Sequence, residues 1–352
     1  MHISELDYPL PEELIAQEPL EPRDSSRLLV IHRDTGTLEH RIFREIGDYL
    51  RPGDLLIANE SRVIPARLFG HKESGGGRVE ILLLRPLEGL RWRVLAGGAR
   101  TRIGSRIRLD QGDTPSPLTA EVVAMGERGE RDVEFSEAPE PYLQDLGQMP
   151  LPPYIHHRLE DPERYQTVYA RLPGSAAAPT AGLHFTPELM LHLRDQGIQF
   201  AFVTLHIGLD TFRPISEEHI EEHAIHREWG RLSPEVAAQI NQTKLAGGRV
   251  IAVGTTSVRI LETAARQGLL HSEESCPWRT ISPYEGMTDL YIQPGDRFKV
   301  VDAMITNFHL PRSTLMALVM AFAGIDLIRH AYAEAIAARY RFFSFGDACL
   351  IL

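Results

Sequence analysis

Cysteine is almost absent from this 352-residue chain, which carries only Cys276 and Cys349. Two thiols cannot build a metal cluster and are too few for a disulfide framework, so both are expected to stay reduced and unpaired. Long apolar runs are missing as well: no stretch of eighteen apolar residues exists, which is what a spanning helix would need. The first residues, Met1-His2-Ile3-Ser4-Glu5, place a carboxylate where a secretory signal needs basic and then apolar side chains. These absences point to a cytoplasmic protein with no membrane partner. A positive net charge is also lacking, at −11, and that argues against a uniformly basic nucleic-acid binder.

The mean charge hides its distribution. Between Arg62 and Arg108 stand ten arginines and Lys72 against Glu73, Glu80 and Glu88, so this segment is +8 and the remainder −19. Local field rather than net charge attracts a polyanion, which makes this segment the candidate footprint of one. A solvated basic strand face would look the same in sequence.

The hydrophobic content of 43% suits a globular protein of one to three domains. Pro11 to Gln17 reads as a short helix and Arg27 to Phe43 as a hairpin turning at Asp34-Thr35-Gly36. A helix from Phe43 to Leu50 and an apolar strand Leu55 to Ala58 follow. From Val63 to about Phe135 helical periodicity disappears. Short strands at 64–69, 78–84, 90–95, 106–109, 118–125 and 132–135 alternate with Gly-rich or Pro-rich breaks, as in a small inserted barrel or sandwich. After Leu151 helices return: Pro187–Gln196, Pro234–Leu245 capped by Ser233, Val258–Gln267, Leu315–Phe322 and Leu327–Tyr340. They alternate with buried strands at Ile198–Leu205 and Arg249–Val253. The pattern implies an α/β fold, an open mixed sheet with helices on both faces.

The stretch from Tyr165 to Thr186 organises the rest. From Gly174 to Ala181 it is almost entirely small or hydroxylated residues, so it supplies no core of its own but lets another group approach closely; Thr180, His184 and Thr186 add polar atoms. Close packing without a ligand would use the same residues. In open α/β sheets ligands bind beyond the carboxyl ends of strands. Three further stretches have that placement: Thr204 to Pro214 with His206, Gly254 to Arg259 with Thr255, Thr256 and Ser257 at a helix start, and Thr306 to Thr314 with Asn307, His309 and Arg312. The hydroxyls of the second could simply cap a helix. His219, His223 and His226, amid glutamates, have a spacing that could gather a metal on one helix face. A charged, solvated helix face explains that spacing better.

Across these stretches the sequence resembles the S-adenosylmethionine:tRNA ribosyltransferase-isomerases of queuosine biosynthesis, the QueA family. The resemblance runs through Asp7 to Pro11, Arg23 to Leu28, Asn59 to Arg67, Pro152 to Ile155, Arg164 to Ala170, Ala178 to Phe185, Thr204 to Pro214, Ala252 to Arg259, Asp302 to Thr314 and Tyr340 to Asp347. It departs from the family pattern at Glu60, where aspartate or asparagine is usual, at Asp210, usually glycine, and at Ile225 and Arg227.

The resemblance implies a discontinuous α/β catalytic domain, residues 1–61 and 151–352, with a β-barrel domain inserted at 62–150. It implies transfer of the ribosyl part of S-adenosylmethionine to the 7-aminomethyl-7-deazaguanine base of a tRNA, leaving epoxyqueuosine, adenine and methionine. S-adenosylmethionine is then a consumed substrate, no further cofactor or metal is needed, and a monomer or weak homo-oligomer is expected. Such a site needs a base to take a proton from the 5′ carbon beside the sulfonium, an acid for departing adenine, and an anchor for the methionine carboxylate. His184, His206 and His309 are the candidates for proton transfer, with Asn307 orienting one ring and Asp302 or Asp347 as substitutes. Arg259 or Arg312 is the candidate anchor. Thr180, Arg213, Thr255, Thr256 and Ser257 are expected to bind substrate, and Arg62, Arg67, Arg91, Arg93 and Arg102 to bind tRNA. Two other readings stay open: a metal-dependent small-molecule hydrolase using the histidine-rich motifs, and a non-catalytic RNA-binding module.

Overall fold

A computed structural model describes residues 1–98, 101–111, 114–126, 129–157, 159–208, 214–270 and 279–352. The chain divides into two compact units, one of Met1–Ser61, Pro152–Leu172 and Ala178–Leu352, the other of Arg62–Leu151 with Pro173–Ala177. Its strands are β1 (Arg27–Ile31), β2 (Leu38–Ile42), β3 (Leu55–Asn59), β4 (Ser61–Val63), β5 (Arg67–Lys72), β6 (Arg78–Pro86), β7 (Arg91–Gly97), β8 (Arg106–Gln111), β9 (Thr114–Met125), β10 (Glu130–Phe135), β11 (Leu172–Ser175), β12 (Gln199–Leu205), β13 (Glu228–Leu232), β14 (Val250–Val253), β15 (Tyr284–Thr288), β16 (Ala303–Asn307) and β17 (Ala348–Ile351). The helices are α1 (Leu143–Leu146), α2 (Pro187–Asp195), α3 (Pro234–Leu245), α4 (Thr255–Leu270), α5 (Thr314–Ala323) and α6 (Ile325–Ala337).

The first unit is built on a nine-stranded mixed sheet in the order β15-β13-β12-β3-β14-β16-β17-β1-β2. Its four central strands, β12, β3, β14 and β16, run parallel. Both faces are covered, so the central strands are apolar on both sides. Leu55 and Ile57 of β3 and Val250 and Ala252 of β14 face a core shared with α3, α4, α5 and α6. The alternate residues Leu56, Ala58, Ile251 and Val253 face Phe43, Ile46, Leu189 and Leu193 on the other side. The parallel strands end together at Asn59, Leu205, Val253 and Asn307. β12 and β14 flank β3: the chain passes from β3 to β12 and β13 on one side and then crosses back to β14 on the other, a reversal of the kind that opens a crevice at the carboxyl edge.

Two expected helices prove shorter and tighter. Pro11 to Gln17 holds only a 3-10 turn at Glu12–Leu14, because Ile15 bridges to Phe342 and the Ala16 amide donates to the Phe342 carbonyl, which diverts the backbone from helical bonding. Phe43–Tyr49 is 3-10 as well, with Gly47 in its middle set so close to Gln196 that a Cβ there would lie 2.7 Å from Oε1. α4 starts earlier than expected, at Thr255, so Thr255, Thr256 and Ser257 are its first turn rather than a loop before it. α3 spans the expected residues, capped by the Ser233 side chain on the Val236 amide.

The second unit is a closed antiparallel barrel in the order β10-β7-β6-β5-β8-β9. Parts of its strands alternate: Trp92 and Val94, Ile107 and Leu109, Val79 and Ile81 are buried, while Arg91, Arg106, Arg108, Arg78 and Glu80 point outward, and β6 breaks the pattern where Ile81, Leu82 and Leu83 are buried in succession. That alternation is why arginine is so dense here. The outward arginines find acidic cross-strand neighbours. Arg93 bonds both oxygens of Asp132 at 2.6 and 3.0 Å, Arg91 pairs with Glu134 at 3.2 Å, and Arg106 with Glu121 at 2.9 Å. Residues 109–151 carry ten carboxylates and two arginines, so the +8 of residues 62–108 is matched by −8 and residues 62–151 sum to zero. The basic segment is therefore half of a charge-paired barrel, and its +8 overstates the positive charge of the unit as a whole. Arg67 pairs with Glu80 at 3.2 Å, Arg62 is half-buried, and Arg102 is exposed.

Candidate active site

Four separate stretches meet at the carboxyl edge of the first unit's parallel strands. Thr180 and its small neighbours, Gly254 to Thr256, Thr306 to Leu310 and Phe343-Ser344 line one cavity, joined by Tyr154. The small residues of the 165–186 stretch do what their size suggests, since any side chain at Gly182 would collide with Tyr169, whose Oη lies 2.0 Å from the position of a Cβ. Gly254 has φ +85, a left-handed turn that lets β14 pass directly into α4. The first turn of α4 lines the cavity through Thr255 and Thr256, at the helix end whose amides have no acceptor within the helix. The Thr256 hydroxyl is buried and has no hydrogen-bond partner among the described residues.

A chain of hydrogen bonds runs from the cavity into the core. The Thr180 hydroxyl donates to the Asn307 carbonyl oxygen at 2.9 Å. The Asn307 amide donates to His184 Nε2 at 3.3 Å and to the Phe343 carbonyl at 3.3 Å. Phe343 holds φ 69, a left-handed conformation unfavourable for its type, and so delivers that carbonyl. With Nε2 accepting, His184 carries its proton on Nδ1 and donates to the Ser26 hydroxyl at 2.9 Å. His184 is buried against Phe43, and burial lowers its pKa to about 3, helped by the nearby Arg341 and Arg23 charges. It therefore stands behind Asn307 as a neutral ring.

His309 lines the cavity itself. Its Nε2 lies 2.7 Å from the Thr306 hydroxyl, its backbone amide donates to Tyr332, and burial lowers its pKa to about 3. His206 is elsewhere: its ring stacks on Trp229, 5.2 Å between centroids, and burial lowers its pKa while Glu228 opposes the shift. The three histidines expected on one rim thus take three different settings, of which only that of His309 opens on the cavity.

The arginines also divide. Arg259 is buried at the start of α4, its Nη1 2.6 Å from Glu228 Oε2, and its other donors go to the carbonyls of Leu290, His226 and Thr288. Its fork is thereby committed to protein, which removes it as a carboxylate anchor. Arg312 is exposed, with φ 54, and lines neither this cavity nor the smaller one beside it. Ser257 donates to the Val253 carbonyl at 2.8 Å and so ties the first turn of α4 to the end of β14. Arg213 and Asp210 lie outside the described residues, as does Cys276, while Cys349 is buried and reduced. Asp302 sits at the opposite end of β16, held by Lys244 at 2.6 Å, and Asp347 accepts the Arg27 and Arg341 amides at 2.8 Å each. Glu60, unusual for the pattern it matches, binds Arg171 through both oxygens at 2.9 and 3.0 Å.

His219, His223 and His226 do not share a helix face. Only Ile220–Glu222 forms a 3-10 turn, and His223 faces Glu217 while His226 faces Glu228. Among the described residues no three potential ligands gather as a metal site, which leaves the hydrolase reading without its basis. Sequence reasoning passed over Tyr154 and Ser344, whose oxygens lie 2.7 Å apart at the cavity, and Ser26 behind it. All three lie inside motifs the resemblance used, so the signal was present without a role attached.

A family model described as queuosine biosynthesis protein matches residues 3–351. The S-adenosylmethionine:tRNA ribosyltransferase-isomerase of Symbiobacterium thermophilum is 55% identical and that of Carboxydothermus hydrogenoformans 52% identical, each over the full length of both chains. The solved structure of S-adenosylmethionine tRNA ribosyltransferase from Thermotoga maritima is 43% identical, covers 99% of this chain and all of its own, and superposes with a TM-score of 0.56. With the match spanning both units and every cavity-lining stretch, the chain belongs to the queuosine biosynthesis protein family.

Proposed function

We propose that this protein transfers and isomerises the ribosyl part of S-adenosylmethionine onto the 7-aminomethyl-7-deazaguanine base of tRNA, releasing adenine and methionine and leaving epoxyqueuosine. The observation that carries this reading is the convergence of four distant stretches of the family pattern on one cavity at the carboxyl edge of the sheet. The α4 amides and the buried Thr256 hydroxyl offer donors for the methionine carboxylate, in place of Arg259. Thr180 and Asn307, locked by His184 and Ser26, orient the ribosyl portion. His309 shapes the wall.

Burial keeps His184 and His309 neutral, and their ring nitrogens face Ser26 and Asn307 in one case and Thr306 in the other, which favours positioning roles for both. Arg62, Arg67, Arg91, Arg93 and Arg102 stay as candidate tRNA contacts, with Arg102 the most available and Arg93 the most engaged in its own barrel. Incubating the protein with S-adenosylmethionine and a tRNA bearing the aminomethyl base should release adenine and methionine in equal amounts. Release without the modified tRNA, or none with it, would count against the reading.

A further inference from the structure

Among the described residues, three other than glycine hold a positive φ, and two of them have a reason in the backbone. Phe343 turns its carbonyl to Asn307, and Arg339 ends α6, where the Tyr340 amide reaches back to the Ala335 carbonyl. Arg312, at φ 54, is different. Its amide donates to the Leu6 carbonyl at 3.0 Å and its carbonyl accepts the Ile215 amide at 2.7 Å, bonds that a glycine would make without strain. Strain kept on a residue that carries a side chain points to a use for that side chain. Arg312 stands two residues after Leu310 and three before Leu315, both on the wall of the main cavity. Its guanidinium is exposed and pairs with no carboxylate among the described residues. Other arginines of the first unit are committed to the protein: Arg259 to Glu228, Arg171 to Glu60, and Arg23 to the carbonyls of Gln166 and Glu163.

A free cation matters at this place. Residues 62–151 sum to zero, so the −11 of the chain falls on the first unit, and a polyanion meets that unit as net repulsion. A base that enters a cavity leaves the stack of its neighbours, while the phosphates on either side of it stay outside at the mouth. Resting on the functional reading above, we propose that Arg312 binds a phosphate of the tRNA backbone beside the base being modified, and so positions that base at the cavity. The guanidinium fork matches two phosphate oxygens, and the backbone bonds to Leu6 and Ile215 fix the point from which the fork extends. Arg312 is a positioning residue and takes no part in the bond changes. The methionine carboxylate offers similar acceptors, but Arg312 lines neither cavity, which favours an anion that arrives from solvent.

Arg312→Gln should weaken tRNA binding about tenfold and reduce the slope of log affinity against log salt by about 0.7–0.9, while the KM for S-adenosylmethionine stays within about twofold. Arg312→Lys keeps the charge and should keep the parental slope. Arg312→Gly removes side chain and strain together, so its tRNA affinity should fall as in Arg312→Gln while its melting temperature holds or rises. In an anticodon stem-loop carrying the aminomethyl base, a neutral methylphosphonate at one of the two phosphates flanking that base should cost the parent about tenfold and Arg312→Gln nothing further. Parental affinity and slope in Arg312→Gln, a flanking-phosphate effect that is absent from the parent or persists in Arg312→Gln, or a raised KM for S-adenosylmethionine alone would each overturn the proposal. So would a loss of affinity confined to variants with a lowered melting temperature. A parent protein that converts no tRNA overturns the functional reading and this inference together; a converting parent with an unaffected Arg312→Gln overturns this inference alone.

Discussion

The Asn307 amide donates to His184 Nε2 at 3.3 Å while its carbonyl oxygen accepts the Thr180 hydroxyl at 2.9 Å. One planar group therefore couples the cavity wall to a buried ring, and its orientation is fixed from both sides. Asn307→Asp can still accept from Thr180 but cannot donate to His184 or to Phe343. Its turnover should fall about a hundredfold with the fold intact, as misplacement of a substrate-orienting group does. Steady-state rates beside a thermal unfolding curve check this, and normal rates would detach Asn307 from the reaction.

The buried histidines set an acid limit on stability. His184 and His309 titrate near 3 when folded and near the ordinary 6.5 when unfolded, so below 6.5 the unfolded chain binds more protons. Stability is then complete above about pH 6.5 and declines as pH falls toward 3, by up to about 1.4 kcal/mol per pH unit for each ring. Denaturant titrations across that window should show a shallower decline for His184→Asn. An unchanged slope would mean that the ring is not held neutral.

The Glu228–Arg259 pair should be costly to halve. Arg259→Met strands a buried carboxylate and should cost about 3–5 kcal/mol, whereas Arg259→Met with Glu228→Leu should cost much less than the two single losses added. A double-mutant cycle by urea unfolding reads this directly, and additive losses would show the pair to be uncoupled.

Much of this architecture was legible in the sequence because its signals were local. The alternation at the starts of β6 to β8 and the Ser233 cap of α3 each reside in a few consecutive residues, and the short strands between Gly-rich or Pro-rich breaks marked the inserted barrel, with which the resemblance agreed. What stayed hidden depends on partners far along the chain. Glu121, Asp132 and Glu134 neutralise arginines 15 to 43 residues away, so a window ending at Arg108 overstated the charge. Arg259 looked like a ligand because nothing near it in sequence announces Glu228. β16 and β17 were missed since Ala303–Asn307 and Ala348–Ile351 are too short to show a period, and their pairing is antiparallel within a largely parallel core.

Gly182 tests the packing of the central stretch. A Cβ there would meet Tyr169 Oη at 2.0 Å and Thr167 Cγ2 at 2.8 Å, so Gly182→Ala should destabilise by about 1–3 kcal/mol. The Tyr169 hydroxyl is buried and lacks a partner among the described residues, so Tyr169→Phe alone should be neutral or slightly stabilising and should recover part of the Gly182→Ala loss. Melting temperatures of the three variants decide it; no recovery would place the clash elsewhere.

In the barrel, Arg102 and Arg93 should behave differently. Arg102→Glu should weaken tRNA binding and flatten its salt dependence by about one unit of slope. Arg93→Glu faces Asp132 and Glu130 and should chiefly lower barrel stability. Binding measured over a range of salt, beside unfolding curves, separates the two; an Arg102→Glu variant with parental affinity and slope would remove this side of the barrel from the tRNA footprint.

The most direct test of the whole account is mass analysis of the tRNA product. After incubation with S-adenosylmethionine, tRNA carrying 7-aminomethyl-7-deazaguanine should gain the ribosyl-derived epoxycyclopentane on that base, with one adenine and one methionine released for each base converted. An unmodified tRNA mass, with S-adenosylmethionine left intact or cleaved without transfer, would contradict it.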